Sequence, residues 1–246
     1  MRLSRGSIRL SLSFLVIHLK ECQSTQDLAW DCEPGTFVVA EVQTHGRGRG
    51  PGRHWVSPPG GLYMSWRLGP VEPVGFSLLG GLAVLRCLNA LGAGARLKWP
   101  NDCWVGSRKI AGILPDARWS GSSCSGLVLG VGVNVCVDPA LLPENSVSLH
   151  QIVQPRPDLA KFGEAVRAEL VQLLATHSRS GLAGYLEEVR RYSFAPGTQV
   201  AYWIEGQRLE GVVEGLDEHG FLLLRGGSRL TAVERLVPLG SLGAFE

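Results

Sequence analysis

The chain has 246 residues, room for one large domain or for a domain with a small module. Apolar residues make up 45% and supply a substantial core, while a net charge of +2 and a pI of about 8.3 exclude a general nucleic-acid binder. No run reaches the roughly 18 uninterrupted apolar residues of a membrane-spanning helix.

Met1 to Lys20 has the outline of a secretion signal, with Arg2 and Arg5 ahead of Leu12 to Leu19. Serines interrupt the apolar part and no small-residue cleavage site follows, so Phe14-Leu15-Val16-Ile17 is predicted as a buried first strand. Ser24 and Thr25 are good helix N-caps, and Leu28-Ala29-Trp30 predicts a short helix behind them. Phe37 to Ala40 predicts a second buried strand, and Leu62 to Leu68 an alternating one. Phe76 to Leu91 is apolar nearly all round, which predicts a core helix in spite of Gly80 and Gly81. Leu127 to Val135 predicts a strand whose glycines let something approach the backbone. Leu159, Phe162, Val166, Leu170 and Leu173 follow helical spacing behind an Asp158 cap, and a further helix is predicted over Leu182 to Arg191. After Pro196-Gly197 the pattern alternates between turns at Glu205-Gly206 and Glu218 to Gly220, which predicts a small all-β unit. The division expected is 1–194 and 195–246.

Six cysteines, at 22, 32, 87, 103, 124 and 136, form no C-x-x-C pair and predict reduced thiols in the cytoplasm rather than a zinc site.

Three segments carry chemistry. In Gly46-Arg47-Gly48-Arg49-Gly50-Pro51-Gly52-Arg53, glycines free the backbone to curl round an anion and arginines add forked donors. A solvated turn and a Gly/Arg RNA-contacting segment would read the same way, except that Trp55 to Leu62 leads at once into a core strand. In Lys98-Trp99-Pro100-Asn101-Asp102, the Asp is either a turn former or a ligand of a magnesium–phosphate group. Lys109 precedes the apolar run Ile110-Ala111-Gly112-Ile113-Leu114, so its ammonium is expected at the mouth of a partly buried site. Gly130, Gly132 and Asn134 form a last cluster. No Walker loop and no Rossmann glycine fingerprint occurs.

Taken in order, Ser24-Thr25-Gln26, Gln43 to Trp55, Lys98 to Leu114 and Gly130 to Asn134 resemble the catalytic domain of biotin–protein ligases, over about residues 12 to 190. The resemblance is to the short form without an N-terminal DNA-binding domain, since about a dozen residues precede the first strand. It implies an α+β fold: a mixed β-sheet catalytic domain related to class II aminoacyl-tRNA synthetases, with a small C-terminal SH3-like β-barrel. It also implies that biotin, ATP and Mg2+ give biotinyl-5′-AMP, and that biotin then passes to a lysine of a biotin carboxyl carrier protein.

By the same resemblance, biotin is bound by Ser24, Thr25, Gln26, Gln43, Gly46, Arg47, Gly48, Arg49, Lys109, Gly112, Leu114, Gly130 and Gly132. The nucleotide is bound by Arg47, Arg49, Trp55, Lys109 and Asn134, and catalysis rests on Lys109, Arg49 and Asp102, with Asp102 also on the metal. Gln26 stands where the family often has asparagine. Pro51 lies in a loop about one residue longer than usual, which leaves the alignment of Arg53 open. Pro115-Asp116 follows Leu114 where a Glu-containing continuation is common. No sequence-specific DNA and no membrane are expected as partners, and a homodimer is left open. A lipoate–protein ligase of the same fold, and a nucleic-acid-binding module built on the Gly/Arg loop, are the alternatives. Arg235, in the terminal β unit, has no spacing argument that ties it to the site.

Overall fold

The computed structural model describes residues 14–50 and 52–239. The signal-like N-terminal stretch up to residue 13 and Pro51 lie outside the described residues, as do residues 240–246 of the terminal unit.

Seven strands form a mixed sheet: β1 (Val16–Cys22), β2 (Phe37–Gln43), β3 (Gly61–Leu68), β4 (Arg96–Lys98), β5 (Asp102–Val105), β6 (Arg108–Ser120) and β7 (Ser123–Asn134). Their order is β1-β2-β3-β7-β6-β5-β4, with β1–β2 parallel and the other pairs antiparallel. A second sheet, antiparallel throughout, follows in the order β11-β10-β9-β8-β12. It is built from β8 (Gln199–Ile204), β9 (Gln207–Leu216), β10 (Leu222–Leu224), β11 (Ser228–Leu230) and β12 (Arg235–Pro238). The expected α+β class therefore holds.

Four α-helices complete the fold: α1 (Thr25–Ala29), α2 (Phe76–Ala90), α3 (Leu159–Ser180) and α4 (Leu186–Tyr192). Ser24 caps α1, its hydroxyl accepting from the Asp27 amide, and Asp158 caps α3 by accepting from the Lys161 amide. α2 packs against the sheet so closely that a Cβ on Gly80 would lie 2.7 Å from Ile113, which is why glycine interrupts a good helix former there. One continuous apolar cluster runs from Phe37 and Trp66 through α2 and α3 to Val200 and Leu236, so the two sheets share a core.

Three elements differ from expectation. β1 begins at Val16 and lies at the edge of the sheet among the described residues; Leu15, just ahead of it, is 60% exposed rather than buried. β3 is buried on both faces rather than alternating, since it lies mid-sheet between β2 and β7 with layers on either side. The helix over Leu182 to Arg191 is split: Gly181–Gly184 forms a 3₁₀ turn and α4 starts afresh at Leu186. Two glycines within four residues remove the helix preference there.

Candidate functional site

A cleft opens on the sheet where α1, β2, β3, β6 and β7 meet under the Gly/Arg loop. It is partly open to solvent. Ser24, Thr25, Gln26, Gln43, Arg47, Gly48, Arg49, Trp55, Lys109, Gly112, Leu114, Gly130 and Gly132 all line it. Sequence reasoning did not include Met64, Ser65, Asn101, Ile113 and Val131, which line it too. Ser65 had left a signal: a hydroxyl inside the otherwise apolar run Leu62 to Trp66.

The floor is a closed hydrogen-bond network. The Thr25 amide and hydroxyl donate to Gln43 Oε1 at 2.8 and 3.0 Å. Thr25 Oγ1 lies 2.9 Å from Ser65 Oγ, whose single proton goes either to that oxygen or to Gln26 Oε1 at 3.2 Å. Gln26 Nε2 donates to the carbonyls of Leu114 and Val128, and Gln43 Nε2 donates to Ser57 Oγ. Ser24, Thr25, Gln26 and Ser65 are all buried. Polar groups held this way keep fixed directions, which a recognition floor requires.

The glycines serve this floor. A Cβ on Gly130 would sit 2.2 Å from Gln26 Oε1, and one on Gly132 would sit 2.6 Å from Trp55 Cε2. The backbone approach expected at β7 is thus made by Gln26 and Trp55 of the protein itself. Gly46 does not line the cleft; its Cβ would meet the Trp55 carbonyl at 2.5 Å, so it is small because the loop folds back on itself. Within the loop Gly50 and Gly52 adopt a positive φ, whereas Gly46 and Gly48 do not.

A second chamber, also partly open to solvent, adjoins the first across Trp55 and Lys109. Arg53, Lys98, Lys109 and Arg235 give it four cations, with Trp104 as an aromatic wall. Asn134 lines this chamber and not the first; its Nδ2 donates to the Val147 carbonyl, and its buried Oδ1 has no partner. The indole N–H groups of Trp55 and Trp104 are likewise buried without partners.

Asp102 lines neither chamber. Its carboxylate stands behind the junction, 2.6 Å from Lys109 Nζ and 4.0 Å from Lys98 Nζ. The Lys98 ammonium lies 4.4 Å from the Trp104 ring centroid, and Lys109 lies 5.1 Å from that of Trp55. Burial pushes Lys98 down to about 8; Asp102 opposes the fall, while Lys109, Arg235 and Arg53 add to it. Burial also draws the Arg49 guanidinium down, against Asp102 and with Arg53. Arg49 Nη2 donates to the Val233 carbonyl at 2.7 Å, joining the loop to the C-terminal sheet. Arg47 turns the other way, to Asp27 and Asp116 at 3.0 and 2.9 Å. Among the described residues no three His, Cys, Asp or Glu side chains gather as a metal site.

The polar-floored cleft and the cationic chamber meet at a common wall of Trp55 and Lys109. Comparison with known proteins places the chain. The biotin/lipoate A/B protein ligase family matches residues 17–134. The biotin–[acetyl-CoA-carboxylase] ligase of Paracoccus denitrificans is 31% identical, over 85% of this chain and 93% of the relative. The bifunctional ligase/repressor BirA of Escherichia coli is 34% identical over 80% of this chain, which spans 64% of that relative's length. The biotin protein ligase of Aquifex aeolicus, solved with biotin and ATP, superposes with a TM-score of 0.81 at 28% identity, over 92% of this chain and 99% of that one. The chain belongs to the biotin/lipoate A/B protein ligase family.

Proposed function

We propose that the chain activates biotin with ATP and transfers it to a carrier lysine. One observation carries the reading: Lys109 is a wall of both the polar-floored cleft and the cationic chamber. With biotin in the first and ATP in the second, the biotin carboxylate meets the α-phosphate at Lys109. A carboxylate oxygen attacks the α-phosphorus, the bond to the β-phosphate oxygen breaks, and biotinyl-5′-AMP and pyrophosphate result. The carrier's lysine amine then attacks the acyl carbon, loses a proton, and AMP leaves with the C–O bond electrons.

No protein nucleophile is needed for this, because each half-reaction brings its own. The work is positioning and charge neutralisation. Ser24, Thr25, Gln26, Gln43 and Ser65 form the ring-recognition floor. Lys109 and Arg49 neutralise the reacting carboxylate and phosphate, and Arg53, Lys98 and Arg235 take the outer phosphates. The unpartnered Asn134 Oδ1 is an acceptor suited to an amino group on the base. Mg2+ enters with ATP. Asp102 pairs with Lys98 and Lys109, and that commitment to two lysines fits a metal carried in by the nucleotide rather than one the protein holds alone. Residues 1–194 are taken as the catalytic unit and 195–246 as the unit that supplies Arg235.

The partner proposed is a biotin carboxyl carrier domain of a carboxylase, and the setting is the cytoplasm, where six free thiols persist. Among the described residues no helix is long and apolar enough to cross a membrane. The test is to incubate the protein with biotin and MgATP and to look by mass spectrometry for bound biotinyl-AMP, with lipoate as the competing acid. Pyrophosphate exchange with lipoate and not with biotin would overturn the substrate, and exchange with neither would overturn the chemistry.

A further inference from the structure

Arg47 lines the cleft, but its charge is spent outside it. Its Nη1 sits between Asp27 Oδ1 of α1 and Asp116 Oδ2 of β6, at 3.0 and 2.9 Å. Asp116 is itself held in place, because the same Oδ2 accepts from Trp30 Nε1 at 3.2 Å. The Trp30 ring in turn carries the guanidinium groups of Arg67 and Arg118, 4.8 and 4.1 Å from its centroid. α1, the Gly/Arg loop and β6 are thereby tied at one point, and α1 and β6 also bring Thr25, Gln26 and Leu114 to the cleft.

The loop transmits this tie. The Gly48 amide donates to the Arg53 carbonyl and the Trp55 amide to the Gly46 carbonyl, so the two arms of the loop move as one. Fixing Arg47 fixes Gly48 and Arg49 over the cleft. Asp27 and Arg47 are well exposed, 60% and 41%, and Asp116 is 30% exposed, so each ion pair alone is weak and screened by salt. The strength lies in two carboxylates on one guanidinium, with an indole orienting one of them.

We propose that Asp27, Asp116 and Trp30 are positioning residues for the Gly/Arg loop: they clasp Arg47 and so set how long the acyl adenylate is retained, without touching it. The retention half rests on the reading given under the proposed function; the clasp does not.

Trypsin cuts after Arg47, Arg49 and Arg53, so the loop reports on itself. In ligand-free protein, Asp116→Asn and the double variant Asp27→Asn/Asp116→Asn should raise cleavage at these three sites over other sites, with the melting temperature unchanged. Salt at 0.5 M, on the order of ten times a low-salt buffer, should do the same to the wild type and add little to the double variant. With biotin and MgATP supplied, release of biotinyl-AMP should quicken by about 3- to 10-fold in Asp116→Asn, while its rate of formation at saturating substrates stays within about two-fold. Asp116→Glu, which keeps the charge, should restore slow release. Trp30→Phe, which keeps a ring and drops the N–H, should fall between.

Unchanged loop cleavage in the double variant overturns the clasp. Cleavage rising at every tryptic site together with a lower melting temperature also overturns it, since the residues would then be holding the fold. Faster loop cleavage with unchanged adenylate release overturns the retention role. Faster loop cleavage in a protein that never forms an adenylate upholds the clasp and defeats the ligase reading instead.

Discussion

Replacing Lys109 by alanine separates catalysis from folding. At 2.6 Å and an effective dielectric near 20, its attraction to Asp102 is about 6 kcal/mol before desolvation is counted. Lys98, at 4.0 Å from the same carboxylate, contributes about 4 kcal/mol on the same scale. Asp102 therefore keeps a cationic partner in Lys109→Ala, and the loss to folding is expected to be about 1–3 kcal/mol, a fall of roughly 3–10 °C in melting temperature. Lys98 lines only the outer chamber and cannot take the place of Lys109 at the junction, where Arg49 is the one cation left of the pair proposed to act there. Losing one preorganised charge there should slow adenylate formation by about 100-fold or more, near 2.7 kcal/mol of barrier. ATP–pyrophosphate exchange dependent on biotin, measured at 25 °C where the variant is folded, reads this directly. Exchange within a few-fold of the wild type would refute the assignment of Lys109 to the junction.

Lys98 gives a pH signature. Its depressed pKa of about 8 means the native chain releases a proton there that the unfolded chain keeps up to the ordinary lysine value, so its burial penalty is full below pH 8 and fades as pH rises through that window. Its charge fades with it, so nucleotide affinity measured by calorimetry should weaken between pH 7 and pH 9, and Lys98→Arg, which stays charged, should flatten the profile; a flat wild-type profile would remove Lys98 from the phosphate site. Gly132→Ala would place a methyl 2.6 Å from the Trp55 ring, so the wall common to both chambers must shift and the affinities for biotin and ATP should fall together; loss of one alone would show that the ring serves a single chamber. Trp99→Phe strands the Gly220 carbonyl that its buried N–H satisfies at 2.9 Å and should lower stability by about 1–3 kcal/mol, checked by denaturant melts.

What could be read from the chain was whatever is local. The Ser24 cap, the long periodic run behind Asp158 and the alternating strands of the last fifty residues or so each carry their cause within a few positions. The four motifs lie in order along the chain, and the fold brings most of the candidate site residues they supply to one cleft. What could not be read depends on distant neighbours. Whether β3 has one buried face or two is decided by layers supplied elsewhere in the chain. Asn134 lies near Gly132 in sequence, yet its side chain falls on the far side of Trp55, a partition that no spacing announces. Arg235 reaches the cationic chamber only because the second sheet folds back on the first. The β7 glycines were legible as a close approach, but the sequence did not say that the approaching groups would be Gln26 and Trp55.

The seam between the sheets bears on any attempt to shorten the protein. Trp99 sits in the turn that separates Lys98 from Asp102, and its indole N–H is satisfied by the carbonyl of Gly220, where an added Cβ would run into Leu78 and Leu182. Arg190 crosses the same seam to the Leu216 carbonyl, and Arg49 crosses it to Val233. A chain cut ahead of Gln199 would uncover an indole and two leucines beside the very turn that separates Lys98 from Asp102. The tail is a buttress, and an amputated chain would forfeit the geometry of that turn.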